Sequence, residues 1–314
     1  MTLYVHIGLN KTGTSSIQKF FADNQQVLER LGVVYPTIGL HDSAHYGFSK
    51  QLMGLPAAAN VSLADGIEEV IGKAAEKKQT VVISSEYLFL AKEEQVLEIK
   101  RFLENTGVDI KIVIYLRRHD SWVDSLFNQA VKTAPGNQGW DLDIREYFIY
   151  LLGASEFEIR YPRIIAKWAN AFGQGNIIVR PFEKSQFYKD DLIWDFCRVI
   201  DADLPAALEK QGVSTVQVNE SVPDDLIKVI GAIRRLNIPP DQKNAVSAQL
   251  LRARRVGQPR APRGDEKPVR IPQHLRKHIV NFFQDDYQQI ARTYLGAEDG
   301  VLFTEKPTPP PAKP

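Results

Sequence analysis

Short runs of consecutive apolar residues alternate along this chain with longer stretches whose apolar positions recur every three or four residues. Leu3-Tyr4-Val5-His6-Ile7 is the first run; it is β-rich, stops at Gly8 and predicts a strand. From about residue 15 to 31 the pattern becomes helical, with Ile17, Phe20, Phe21, Leu28 and Leu31 on or near one face. A helix over about 64–77 leads into a strand over 80–84, and a helix over 93–104 into a strand over 110–116. Helices over about 119–132 and 161–172 precede a last strand over 176–180. The final third reads as mostly helical, over 224–236, 244–254 and 272–295. The last of these carries Leu275, Ile279, Phe282, Phe283, Ile290 and Tyr294 on one stripe. Strands alternating with helices require right-handed crossovers, so the expected fold is α/β. It is a parallel β-sheet of about four or five strands flanked by helices, with a helical C-terminal extension.

Length and composition place limits on this picture. The chain has 314 residues, 44% hydrophobic and 25% charged, which excludes a mainly disordered chain, a collagen and a coiled coil. We expect a single domain over 1–303, with an α/β core over 1–200 and an extension over 201–303. Residues 304–314 are proline-rich, hold no core-forming residue and predict a disordered tail. The one cysteine, Cys197, excludes an intrachain disulfide and a cysteine-based zinc cluster. No apolar run reaches the ~20 residues of a membrane span, and no signal peptide is expected, since the first residues lack a basic segment followed by an apolar stretch. A cytoplasmic protein is expected, with peripheral membrane contact left open.

The net charge of +1 predicts neither a nucleic-acid nor a membrane partner. Charge is unevenly placed, however. Between Arg252 and Lys277 lie nine Lys or Arg and two acids, a local +7 on a remainder of −6. Within it, 256–271 reads as a basic loop that suits an anionic ligand, although a solvated loop fits equally well.

In parallel sheets, ligands bind beyond the carboxyl ends of the strands. After the first strand comes Gly8-Leu9-Asn10-Lys11-Thr12-Gly13-Thr14-Ser15-Ser16, then a helix. Gly13 permits a tight turn, Thr12, Thr14, Ser15 and Ser16 offer hydroxyls, Lys11 adds a point charge, and the helix start presents amides. The order is P-loop-like, but Lys11 precedes Gly13, whereas nucleotide triphosphatases place the lysine after the second glycine. After the strand over 110–116 stand Arg117 and, eight residues later, Ser125, a guanidinium fork and a hydroxyl suited to a phosphate.

Lys11-Thr12-Gly13-Thr14-Ser15 resembles the 5′-phosphosulfate loop of the sulfotransferases that use 3′-phosphoadenosine-5′-phosphosulfate (PAPS). Arg117 and Ser125 resemble that family's 3′-phosphate motif, with Arg118-His119 in place of the usual Asn-Pro. Val179-Arg180-Pro181-Phe182-Glu183, Asn219-Glu220-Ser221 and the ending from Ile290 to Phe303 are similar to segments of a bacterial sulfotransferase-like group. The resemblance implies a P-loop-like fold and PAPS as sulfuryl donor. It implies that Asn10, Lys11, Thr12, Gly13, Thr14, Ser15, Ser16, Arg117 and Ser125 hold the donor, with Lys11 neutralising the leaving oxygen and no metal.

The acceptor implied is a hydroxyl of a small molecule, carbohydrate or glycolipid. Its base is expected at Glu86, just past the second strand of the core, with His45 next and His6 placed as a core residue. His119 reads as charge support, and Asn128 and Gln129 as either ligand-facing or solvated. Trp122, Trp140 and Trp168 read as core before sugar platforms. The basic loop then serves either the 3′-phosphate or an anionic acceptor. Two alternatives stay open: a nucleotide-dependent kinase, and a non-catalytic nucleotide- or glycan-binding protein on the same fold. Oligomeric state is not readable from the sequence.

Overall fold

In a computed structural model the described residues are 1–55, 63–133, 143–154, 158–215, 224–257 and 271–305. Five strands alternate with helices. In chain order they are β1 (Thr2–His6), α1 (Thr14–Asp23), α2 (Gln25–Arg30), β2 (Val33–Val34), α3 (Tyr46–Leu52), α4 (Leu63–Glu76), β3 (Thr80–Ser84), α5 (Glu93–Glu104) and β4 (Asp109–Leu116). Then come α6 (His119–Thr133), α7 (Ile144–Gly153), α8 (Tyr161–Phe172), β5 (Ile177–Pro181), α9 (Leu192–Ile200) and α10 (Leu204–Lys210). The chain continues through α11 (Asp224–Arg235), α12 (Pro240–Gly257), α13 (Gln273–Phe282) and α14 (Gln284–Ile290). All strand pairs are parallel and the order is β2-β3-β1-β4-β5, the α/β sheet the periodicity predicts.

The chain forms two compact units. Among the described residues, the first contains the sheet and lies within Met1–Arg117, Arg160–Val218 and Gln284–Glu305; the second lies within Arg118–Ile159 and Asn219–Phe283. These units interleave along the chain.

In the first unit, strand alternation sends side chains to two covered faces. Val82 of β3 with Val113 and Tyr115 of β4 join Ile17, Phe21, Leu28, Phe196, Cys197 and Leu208 in one buried cluster, so α1, α2, α9 and α10 lie on that face. The alternate positions Val81, Ile83, Ile112 and Ile114 are fully buried too, and there α8 packs on β4 and β5 and α5 on α8. Asp195 ties α9 to the sheet. It accepts from Arg180 of β5 (2.5 and 3.1 Å), from the Tyr115 hydroxyl (2.7 Å) and from the Tyr188 amide (3.0 Å). Asp191 caps the start of α9 by accepting from Ile193 and Trp194 amides.

The second unit is built of helices among its described residues. Asp120, fully buried at the start of α6, is held by Arg118 (2.8 Å) and by Arg276 of α13 (2.8 Å). His119 stacks on Phe283 at 3.5 Å between centroids and bonds the Ile159 carbonyl through Nε2 (2.9 Å).

Several expectations need correction. The helix predicted over 15–31 breaks at Asn24 into α1 and α2. The helix predicted over 272–295 breaks at Phe283, and its last turn, Ala291–Leu295, is a π-helix. The break shifts the helical phase, and Phe282, predicted on the buried stripe, is 57% exposed. Trp122 and Trp168 are core residues, whereas Trp140, Asn219-Glu220-Ser221, most of the basic loop (258–270) and 306–314 lie outside the described residues.

Removing a buried carboxylate that holds a guanidinium strands that charge. Asp195→Ala is therefore expected to lower unfolding stability by about 3 kcal/mol, read from a urea transition. A loss below about 1 kcal/mol would contradict the role given to Asp195.

Candidate functional site

Helix α1 leaves β1 on one face of the sheet and α5 leaves β3 on the other. The carboxyl ends of these adjacent strands are therefore the place where parallel sheets bind ligands. The loop from Gly8 to Gly13 follows β1, and Ser85-Glu86 follows β3. Gly8, at φ 102°, permits their close approach: a Cβ there would lie 3.4 Å from the Glu86 Cα.

Gly13, the residue before α1, has φ 76°, a conformation that disfavours any side chain. Space forbids one as well, because a Cβ would fall 2.2 Å from Leu192 Cδ2 and 3.3 Å from the Phe182 ring. The turn is thus pressed against the start of α9 and the end of β5. The Ser16 and Ile17 amides return to the Gly13 carbonyl (2.9 and 3.2 Å). The amides of Thr14 and Ser15 ahead of them are the ones an α-helix start leaves for a ligand.

Lys11 also has a positive φ, 63°. Arg117 Nη1 donates to its carbonyl at 2.9 Å, and the Arg117 guanidinium lies 5.5 Å from the Phe182 centroid. The Tyr161 hydroxyl in turn donates to the Arg117 carbonyl. Burial, then the neighbouring Arg117 cation, lowers the Lys11 pKa from the ordinary lysine value, with Glu86 opposing the shift. Glu86 accepts from the Thr14 hydroxyl at Oε2 (2.5 Å) and from the Tyr46 hydroxyl at Oε1 (3.0 Å). Burial and the Glu86 carboxylate raise the Tyr46 phenol, which keeps it a donor.

The structure brings Lys11, Thr14, Glu86 and Arg117 to one end of the sheet, on the ends of β1, β3 and β4. Asn10 lies half-buried in the same loop, and Ser15 and Ser16 stand exposed and half-buried on the first turn of α1. Thr12 is fully buried and spends its hydroxyl on the Leu9 carbonyl (2.5 Å). That leaves its amide rather than its side chain to offer. Ser125 is half-buried on α6 in the second unit. Arg118, the neighbour of Arg117, is committed to Asp120.

His45 is fully buried with both ring nitrogens in use. Nε2 donates to the Pro36 carbonyl (2.9 Å) and Nδ1 accepts the Ser84 amide (3.1 Å). Burial pushes it down to about 4. His6 is fully buried, bonds Ser84 Oγ through Nδ1 (2.8 Å) and is pushed down to about 3. Of the basic segment, Arg252 and Lys277 are exposed, but Arg276 is buried on Asp120. Among the described residues, no group of three or more His, Cys, Asp or Glu could hold a metal ion, and no helix is long and apolar enough to cross a membrane.

Sequence reasoning missed Tyr46, Phe182 and Leu192 as parts of the site. Tyr46 adjoins His45, but nothing in its spacing marks it as a carboxylate partner. Phe182 and Leu192 act through close packing with Gly13, which requires the fold to be seen.

No family model matches the chain. An uncharacterized protein of Archaeoglobus fulgidus is 27% identical over 227 residues, 72% of this chain. The chain spans about half the length (56%) of that curated relative. The crystal structure of a sulfotransferase from Alicyclobacillus acidocaldarius overlaps 80% of this chain and 94% of its own, at 17% identity and a TM-score of 0.37. At that identity and overlap, neither match carries chemistry over to this chain.

Gly13→Ala puts a methyl group into Leu192 and forces an L-residue into a left-handed conformation. The expected loss is about 2–4 kcal/mol in chemical unfolding, partly recovered in Gly13→Ala/Leu192→Ala. Additive losses in the double variant would show that the two side chains do not compete for space.

Proposed function

We propose that this protein transfers a sulfuryl group from PAPS to a hydroxyl of a carbohydrate or glycolipid acceptor. The observation that supports this most is the meeting of Lys11, Arg117 and Glu86 around one helix start, with Arg117 bonded to the Lys11 carbonyl. Two cations and free amides suit the donor's phosphates, and a carboxylate on the facing strand suits an acceptor proton.

Sulfuryl transfer needs three things from the protein. The reacting oxygens must be held in line, the leaving phosphate must be neutralised, and the acceptor must lose its proton. In this reading the Thr14 and Ser15 amides and the Ser16 hydroxyl hold the 5′-phosphate, and Asn10 borders it. Lys11 neutralises the leaving oxygen, and its cationic form is required. Arg117 takes the 3′-phosphate, favoured over Arg118 because the latter is held by Asp120; a part for Ser125 rests on the family resemblance alone. Glu86 accepts the acceptor's proton. It is favoured over His45 and His6, whose rings are closed off by burial and neighbours. The carbohydrate preference comes from the family resemblance, and no residue here identifies the sugar. A cytoplasmic setting belongs to the same proposal.

The direct test follows labelled sulfuryl transfer from PAPS to a panel of sugars and glycolipids, without magnesium and beside ATP. Transfer from PAPS alone is expected, lowered about 10²–10³-fold in Lys11→Ala. Magnesium-dependent ATP turnover, with none from PAPS, would reject the reading in favour of a kinase.

The lowered Lys11 pKa sets the sign of the pH dependence. Donor kcat/KM reports the free enzyme and is expected to fall as pH rises through the Lys11 pKa, below the ordinary lysine range. Lys11→Arg keeps its charge and is expected to lose that alkaline limb. An alkaline limb retained unchanged in Lys11→Arg would assign it to another group.

A further inference from the structure

Glu86 has two carboxylate oxygens with different fates. Oε1 accepts the Tyr46 hydroxyl at 3.0 Å, from the first residue of α3. Oε2 accepts the Thr14 hydroxyl at 2.5 Å, from the first residue of α1. Thr14 is 3% exposed, so its hydroxyl must keep a protein or ligand partner. A hydroxyl carries one proton and donates it once at a time. Thr14 also stands in the turn where the proposed donor phosphate sits, and rotation about χ1 redirects its hydroxyl between staggered positions.

We infer that Thr14 is a switch between donor and base: its hydroxyl caps Glu86 Oε2 before donor binds and turns to a 5′-phosphate oxygen when donor arrives. This rests on the sulfuryl-transfer reading and adds to it an order of events. Tyr46 is the positioning residue that keeps Oε1 fixed while Oε2 is released. The acceptor then gives its hydroxyl proton to Oε2, and its oxygen forms the bond to sulfur. The bond from sulfur to the 5′-phosphate oxygen breaks, and that oxygen leaves with the electron pair, beside Lys11. The products are a sulfate ester and 3′-phosphoadenosine-5′-phosphate. The base is thereby capped until donor is bound, so donor precedes acceptor.

The test is a double-mutant cycle on calorimetric binding of 3′-phosphoadenosine-5′-phosphate, a probe that needs no acceptor. Glu86→Gln weakens the competitor for the Thr14 hydroxyl and is expected to tighten binding about tenfold. In a Thr14→Val background only relief of charge repulsion remains, and the tightening is expected to shrink to about threefold or less. Thr14→Ser keeps the hydroxyl and is expected to restore the tenfold effect. Thermal unfolding checks each variant, with Thr14→Ala replacing Thr14→Val if the latter does not fold. Equal tightening in both backgrounds overturns the switch and leaves the transfer reading standing. A wild-type protein that binds the probe no better than AMP overturns both.

Discussion

The turn into α1 closes on itself at Gly13, where a left-handed backbone meets Leu192 and Phe182 with no room for a side chain. Three elements are fixed by that contact. The start of α1 is set against α9, the end of β5 is set against the loop, and Lys11 is carried round to where Arg117 reaches its carbonyl. The strained Lys11 backbone, at φ 63°, persists because Arg117 and the packed turn over-determine it. Arg117 is itself held by Phe182 and Tyr161, so loop, sheet end and guanidinium form one connected arrangement.

Electrostatics follow from that geometry. Two cations lie at the mouth of a sheet whose interior is apolar on both faces, and burial makes both costly to hold without an anion nearby. Glu86 supplies one, and the helix start invites another. The Thr14 and Tyr46 hydroxyls divide that carboxylate into one oxygen held by α3 and one held by the loop itself.

Much of the fold was legible in the chain because strand and helix periods differ so clearly. The helices at Glu93–Glu104 and Tyr161–Phe172 were located to the residue, and four of the five strands to within a residue at either end. β2, at two residues, is too short to leave a pattern. The missed breaks at Asn24 and Phe283 leave the apolar spacing almost intact, so periodicity alone runs through them. The loop from Lys11 to Ser16 was legible as an anion turn because its glycine, hydroxyls and lysine act locally. Glu86 was legible only as a strand-end carboxylate. Its partners Thr14 and Tyr46 come from segments 72 and 40 residues away, a pairing that the sheet order creates and no local pattern announces. Arg276 shows the converse: read as part of a basic run, it folds inward onto Asp120.

The proposed occupant of this end of the sheet is a nucleotide carrying both a 5′- and a 3′-phosphate. Competition calorimetry between 3′-phosphoadenosine-5′-phosphate and AMP, repeated with Arg117→Ala, tests it most directly. A preference of about a hundredfold for the doubly phosphorylated nucleotide is expected, largely lost in Arg117→Ala. Equal affinity for the two nucleotides, unchanged by Arg117→Ala, would contradict it.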